Sequence, residues 1–332
     1  MLERETERWL SIQENLGKAP NTLLAYRRSL ECYGSFCIEL QRPVYEATKE
    51  DVALFVRSMT AFRLPASRKT KSERSGMANS TIRLRLTAVR LFYDHLIEEG
   101  LRPDNPVGRG RYTQGGGFGG ARPRALVPRF TALPWIPADA EWKNLLQTAR
   151  LEPLRNRVML ALAYDAGLRR EELCLLATGD IDPAHRLLTI RAETTKSRRG
   201  RVVPYSEAAG SLLSAYLAHR RTLTRSRGTL FVSESRRNAG GPLTFWTWSK
   251  VVHSLAERAG LPQLSTHTFR HLCLTDLARA GWELHEIASF AGHRNTSTTL
   301  IYIHLSGREL SAKIAKASLH ATRMAEAAEI LQ

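Results

Sequence analysis

The feature that most constrains how this chain can fold is a break in its apolar patterning at residues 102–130. The segment carries the run GlyGlyGlyPheGlyGly at 115–120 among scattered arginines. It holds too few apolar side chains to pack a core and too much glycine to form a helix. The sequence therefore predicts two domains, residues 1–101 and 131–332, joined by a basic, Gly/Pro-rich linker.

The N-terminal domain is predicted to be helical. Apolar residues recur at spacings of three and four from Ile82 to Leu96, which gives one apolar helix face that ends before Gly100. Thr48 with Asp51 three residues later resembles a capping box at the start of another helix. A basic loop at 63–76 separates these two helices.

The C-terminal domain is predicted to be helical with one β insertion. Helical patterns cover 139–149, 153–166 and 169–177, and they resume at 206–221, 243–259, 267–280 and 283–290, with a last helix from about Arg308 to Glu329. Residues 187–190 and 201–204 have the composition of two strands around a polar turn. The expected fold class is mainly α with a small β-sheet (α+β).

The composition points to a polyanionic partner. The chain has 49 Lys and Arg against 32 Asp and Glu, a formal net charge of +17. Such a charge favours nucleic acid because each neutralised phosphate releases counterions, although other basic proteins share it. The N-terminus lacks a signal-peptide pattern, the longest apolar run, Val158 to Tyr164, is too short to span a membrane, and the four cysteines form no CxxC pair. We expect a cytoplasmic protein with no membrane segment.

Four separated segments carry polar groups in an unusual combination. In chain order they hold Arg169 and Glu172 in 166–173; Lys196 in the turn 194–200; His267, Arg270 and His271 in 267–271; and Gly292 and His293, followed by Tyr302. Each segment alone is a weak signal, but all four in this order in a basic chain are specific.

At these positions the sequence resembles the tyrosine recombinase family, which includes phage integrases and Xer-type recombinases. The family's arginine box corresponds to Arg169 in this sequence, and its acidic helper corresponds to Glu172. Its hairpin lysine corresponds to Lys196 and its HxxR box to His267 and Arg270. Its GH box corresponds to Gly292-His293 and its nucleophile to Tyr302. The resemblance covers residues 139–310, and less specifically the helical N-terminal half. It implies a core-binding domain followed by a catalytic domain, with no metal and no cofactor.

The chemistry of strand cleavage explains why these residue types are needed. Arg169 and Arg270 can grip phosphate oxygens and neutralise the charge that develops during attack. His267 and His293 can add hydrogen bonds or move a proton. In this likeness Lys196 protonates the leaving 5′ oxygen and Tyr302 attacks, which forms a 3′-phosphotyrosine.

Alternative interpretations of these residues stay open from sequence. Arg169 and Glu172 could form a helix cap or an ion pair, and a neighbouring arginine could stand in for Lys196. His267 and His271 also have the i,i+4 spacing of zinc ligands, but Thr268 stands where an HExxH motif needs glutamate. Arg83, Arg85 and Arg90 are candidate DNA-phosphate contacts, or solvated arginines on a surface helix.

The resemblance also implies partners. It suggests double-stranded DNA with specific recombination sites and a homotetramer on that DNA, with the C-terminal helix docking into a neighbouring subunit. Accessory recombinases or DNA-bending proteins, association with the nucleoid, and a role in integration, excision or transposition of a mobile element fit the same likeness. The alternatives are DNA relaxation of the type IB topoisomerase kind and a DNA-binding regulator without catalysis.

Three departures from the family pattern bear on the DNA arrangement rather than on cleavage. The linker is longer and richer in glycine than the usual connector, the basic loop 63–76 replaces a brief turn, and the helix after the HxxR box reads LeuCysLeuThrAspLeu instead of an alanine-bearing pattern.

Overall fold

The computed structural model describes residues 2–60, 76–108, 126–127, 133–195, 198–305 and 307. These residues fall into two compact units, Met1–Thr131 and Ala132–Gln332. No helix in the described ranges is both long and apolar enough to cross a membrane. Most of the basic loop, most of the linker, Lys196 and the expected C-terminal helix from Arg308 lie outside the described residues.

The described residues of the first unit form four α-helices. They are α1 (Leu2–Asn15), α2 (Pro20–Glu39), α3 (Lys49–Thr60) and α4 (Asn79–Glu98). The capping box predicted before α3 is confirmed, since the backbone N–H of Thr48 donates to Asp51 Oδ2 at 2.8 Å and that of Asp51 donates to Thr48 Oγ1 at 3.3 Å. Each cap satisfies an amide that the first helical turn leaves unpaired.

The core of the first unit forms around α4, whose predicted apolar face from Ile82 to Leu96 is buried. Tyr33 and Tyr93 share a hydrogen bond between their hydroxyls at 2.9 Å, and the Tyr93 hydroxyl also donates to the Val44 carbonyl at 2.9 Å. Arg102 lies 5.0 Å over the Tyr93 ring and donates to the Ala47 carbonyl at 2.6 Å. The first residue of the predicted linker is therefore packed against this core.

The second unit combines eight helices of the described chain with a three-stranded sheet. The helices are α5 (Asp139–Ala149), α6 (Leu154–Asp165), α7 (Arg170–Cys174), α8 (Glu207–Leu223), α9 (Phe245–Arg258), α10 (Thr268–Arg279), α11 (Leu284–Ala291) and α12 (Leu300–Leu305). The sheet is antiparallel in the order β1 (Ile181–Asp182), β2 (Leu187–Ile190), β3 (Arg201–Pro204). The predicted fold class, mainly α with a small sheet, is confirmed.

Helix α6 lies at the centre of the second unit. Its side chains are buried around most of its circumference, and it packs against α8 and α10. A helix that is buried on most of its sides must be surrounded by other elements. The turn at its C-terminal end and the N-terminal ends of α7 and α10 therefore sit on a rigid core.

Candidate active site

The turn between α6 and α7 positions the first arginine of the site. Gly167 has a left-handed backbone (φ +54°), and a Cβ there would lie 3.2 Å from the Phe290 ring. Glycine is needed at this position for both reasons. The turn leaves the Gly167 carbonyl free to accept a hydrogen bond and starts α7 at Arg170, directly after Arg169.

Glu172 is a buried carboxylate held between two arginines. Its side chain is 1% exposed and accepts from Arg169 Nη1 at 2.7 Å and from Arg201 Nη2 at 2.8 Å. Burial raises the pKa of Glu172, but the hydrogen bond and charge of Arg201, together with Arg169, bring it down to about 2. The ion pair between Arg169 and Glu172 that the sequence left open therefore exists, and it orients Arg169, whose side chain remains 20% exposed.

Arg201 belongs to the site through Glu172, although from sequence it is expected only as part of the strand after Lys196 and as one of the arginines that flank that lysine. It opens β3, and its Nε donates to the Phe290 carbonyl at the end of α11 at 2.8 Å. It shares a strand face with the buried Val203, two residues on. An arginine on the inward face of a strand needs a buried partner, and that alternation was the signal that could have found it.

Helix α10 supplies the second arginine. Arg270 is 3% exposed and donates to the carbonyls of Gly167 at 2.5 Å and Ala291 at 2.6 Å. Burial lowers its pKa to about 10, with a further contribution from the charge of Arg169. Arg270 therefore stays charged at neutral pH, and two backbone carbonyls fix its guanidinium.

His293 follows the end of α11, where Gly292 has φ +62°. Its Nε2 lies 3.0 Å from Arg270 Nη2, and its Nδ1 lies 2.9 Å from Thr299 Oγ1. An arginine can only donate, so Nε2 is the acceptor and Nδ1–H donates to Thr299. Burial and the charge of Arg270 lower the pKa of His293 to about 3, which agrees with a neutral ring.

Tyr302 lies on α12 and is 3% exposed. Its ring stacks on the His293 imidazole, with ring centres 6.1 Å apart and planes 7° apart. Its hydroxyl lies 3.1 Å from His271 Nδ1. Burial raises the pKa of Tyr302, and the charges of Arg270 and Arg169 reduce that increase without reversing it.

His267 precedes α10, and its ring centre lies 6.3 Å from that of His271. Burial lowers the pKa of His267, and the nearby Glu171 carboxylate opposes that shift. His271 had been considered from sequence only for its zinc-ligand spacing. Within the part of the chain that the structure describes, no group of three or more His, Cys, Asp or Glu side chains is arranged to hold a metal ion.

The structure brings most of the predicted site residues together. A chain of direct contacts joins Arg169 to Glu172, and another joins Arg270, His293 and Tyr302. Lys196 lies outside the described residues. Arg83, Arg85 and Arg90 lie on α4 of the first unit, where Arg85 Nη1 donates to Cys32 Sγ at 2.6 Å. Arg201, His271 and Thr299 are the additional residues at the site.

Comparison with known proteins gives a consistent answer. The profile of the phage integrase family matches residues 138–309, and that of the phage integrase N-terminal SAM-like domain matches residues 7–100. The tyrosine recombinase XerC of Herpetosiphon aurantiacus is 28% identical over 333 residues, covering 99% of each chain. The XerC of Erythrobacter litoralis is 30% identical over 307 residues, covering 90% of this chain and 86% of its own.

Solved structures share the fold. The XerH site-specific recombinase bound to a palindromic difH substrate superposes with a TM-score of 0.67 at 18% identity, covering 88% of this chain and 79% of that one. A lambda integrase dimer bound to a COC′ core site gives a TM-score of 0.63 at 17% identity, covering 89% and 96%. The chain therefore belongs to the phage integrase family of tyrosine recombinases, enzymes of site-specific recombination that break and rejoin DNA strands.

Proposed function

We propose that Tyr302 is the nucleophile of this recombinase and forms a 3′-phosphotyrosine with one strand of a duplex recombination site. The observation that carries the proposal is the environment of its hydroxyl. Burial raises the pKa of the Tyr302 hydroxyl, and the positive charges of Arg270 and Arg169 oppose that increase. The Tyr302 ring is stacked on His293. Cationic groups that favour the deprotonated oxygen are what a tyrosine nucleophile requires.

Arg169 and Arg270 bind the phosphate and stabilise the pentavalent state. Their fixed orientations support this role, since Glu172 holds Arg169 and two carbonyls hold Arg270. Donors that are already oriented need no rearrangement when charge develops on the phosphate. Removing one typically loses about 3–4 kcal/mol of transition-state stabilisation.

The covalent step balances without a cofactor. The Tyr302 oxygen forms a bond to phosphorus, the bond from phosphorus to the 5′ oxygen breaks, one proton leaves Tyr302 and one is added to the 5′ oxygen. Lys196 donates that proton. Arg201, which lies on the strand that follows Lys196, is anchored to Glu172 and to the Phe290 carbonyl. Both ring nitrogens of His293 are engaged, so its role is hydrogen bonding, and His267 is the imidazole that moves protons.

The enzyme acts as a tetramer on two duplex sites, with the segment from Arg308 onward docking into a neighbouring subunit. The family membership and the net charge of +17 support a duplex partner. Among structural neighbours, XerH is bound to difH in a post-cleavage complex, and the Tn1549 transposon integrase is bound to transposon right-end DNA. We extend the proposal to integration, excision or transposition of a mobile element, with accessory DNA-bending proteins or recombinases, in the cytoplasm at the nucleoid.

Arg83, Arg85 and Arg90 are proposed as phosphate contacts of the first unit. Arg83 and Arg90 are half-buried on α4, whose opposite face forms the core. Arg85 is the weakest of the three candidates because one of its guanidinium nitrogens already donates to Cys32.

The test is covalent trapping. Duplexes from the DNA that flanks the gene, each with a nick beside a candidate cleavage point, are incubated with protein in EDTA and run on denaturing gels. A protein–DNA band with wild type and none with Tyr302→Phe, which should still shift the same DNA, is the expected result. A band with Tyr302→Phe, or none with wild type on any flanking DNA, contradicts the proposal.

A further inference from the structure

We infer that His271 is a positioning residue that aims the Tyr302 hydroxyl by accepting its hydrogen bond at Nδ1. The inference rests on the proposed role of Tyr302 as nucleophile. Its basis is the 3.1 Å separation between His271 Nδ1 and the Tyr302 oxygen, with ring centres 5.7 Å apart. His271 is separate from the residues that bind the phosphate.

Stacking on His293 does not by itself fix the direction in which the Tyr302 hydroxyl points. Parallel rings 6.1 Å apart hold the plane of the phenol, but they allow it to slide and turn within that plane. A directional hydrogen bond at the hydroxyl removes that freedom. The two contacts together define both the plane of the ring and the direction in which its oxygen points.

The backbone that carries His271 is well anchored. His271 directly follows Arg270, whose guanidinium is tied to the carbonyls of Gly167 and Ala291, and its own carbonyl accepts from Thr275 Oγ1 at 2.7 Å. Because the two residues are consecutive on one helix, a bond to His271 places the Tyr302 oxygen at a fixed distance from Arg270. The Tyr302 oxygen and Arg270, which is proposed to bind the phosphate, are thereby held in fixed positions relative to each other.

The direction of the hydrogen bond follows from what the attack requires. When the Tyr302 hydroxyl donates to Nδ1, its proton points toward α10 and both oxygen lone pairs remain free for phosphorus and for cationic donors. The neutral imidazole then carries its own proton on Nε2. The opposite arrangement would occupy a lone pair that the attack needs.

His271 orients the hydroxyl rather than removing its proton. Burial, with the nearby His267 and Arg270, lowers the pKa of His271 to about 4, whereas burial raises that of Tyr302. A base this weak cannot hold a phenol proton at equilibrium. It is, however, an uncharged acceptor throughout the neutral range.

Two polar substitutions at His271 distinguish the position of the hydrogen-bond acceptor from the size of the side chain. His271→Asn keeps an acceptor near the Nδ1 position, whereas His271→Gln moves it toward the position of Nε2. The rate of covalent adduct formation is measured on a nicked duplex under single-turnover conditions, with DNA affinity and melting temperature measured alongside. His185→Phe is the control, since His185 is 74% exposed and its Nδ1 pairs with Asp182.

We expect His271→Gln, and His271→Phe as a second variant without an acceptor, to cleave about 10²-fold more slowly, as displaced reacting groups do. His271→Asn should stay within about tenfold of wild type, and all variants should bind DNA equally. Equal rates for Gln, Phe and wild type overturn the inference, and so do Asn and Gln variants that are equally slow. Adduct formation by Tyr302→Phe, or none by wild type, instead overturns the proposed function itself.

Discussion

Arg201 donates from its two terminal nitrogens to the two carboxylate oxygens of Glu172, at 3.1 and 2.8 Å. The third donor of its guanidinium, Nε, binds the Phe290 carbonyl. One side chain thus ties β3 to α7 and to the end of α11. The strand that follows Lys196 is connected through it to the elements that carry Arg169 and His293.

We expect Arg201→Met to destabilise the protein by about 3 kcal/mol, because the buried Glu172 carboxylate would lose its bidentate partner. Arg201→Lys should recover part of the loss through its charge. Denaturant unfolding of the whole chain is the measurement, with Arg221→Met, an exposed arginine at the end of α8, as the control. If both Met variants unfold at the same denaturant concentration, the pair does not contribute to stability.

Acid should destabilise the fold in two stages. Glu172 and His293 have pKa values lowered to about 2 and about 3 from 4.5 and 6.5. The unfolded chain therefore takes up protons first, so stability falls as the pH drops below about 6.5 through the histidine and below about 4.5 through the carboxylate. The carboxylate accounts for at most about 3 kcal/mol. Unfolding free energies across this range should show a smaller decrease below pH 4.5 in Glu172→Gln; an unchanged profile would contradict the assignment.

Gly292→Ala should impair both stability and cleavage. Its φ of +62° is strained for alanine, and the added Cβ would lie 3.0 Å from Arg201 Nη1. Gly260→Ala is matched in backbone, with φ +66° and nothing within 4 Å of the added carbon. Each variant should lose about 1–2 kcal/mol from backbone strain. Only Gly292→Ala should slow adduct formation, because it alone displaces Arg201, and equal cleavage by the two variants would contradict this.

Arg169→Ala and Arg270→Ala should bind DNA and cleave it about 10²–10³-fold more slowly, as expected when one oriented donor to the transition state is removed. Binding by gel shift and adduct formation on nicked duplexes separate the two effects. Near wild-type cleavage by either variant would remove that arginine from the proposed phosphate clamp.

The elements that could be predicted from sequence are those with local signals. The apolar face of α4, the capping box before α3 and helix α5 depend on residues close in the chain, and the structure has them. Strand β1 was missed because two residues are too few for an alternating pattern.

The site residues that were missed depend on distant partners. Arg201 meets Glu172 from 29 positions away, and His271 meets Tyr302 from 31. Thr299 was not considered, because nothing local distinguishes it from its threonine neighbours. Its role comes from the His293 Nδ1–H that it accepts. Motif spacing indicated which residues carry the chemistry, but the contacts that orient them follow only from the packing of α7, α10, α11 and β3.

The arginine–carboxylate arrangement also determines which state of the substrate the site favours. Arg169 and Arg201 pair with a single ionised carboxylate, Glu172, whose charge also acts on Arg270, so these four side chains carry a net charge of +2. A phosphodiester brings one negative charge, whereas its pentavalent form brings two. The two negative charges of the pentavalent form therefore neutralise these side chains, whereas the single charge of an intact phosphodiester leaves a net charge of +1. A doubly charged pentavalent mimic such as a vanadate ester should accordingly bind more tightly than the diester.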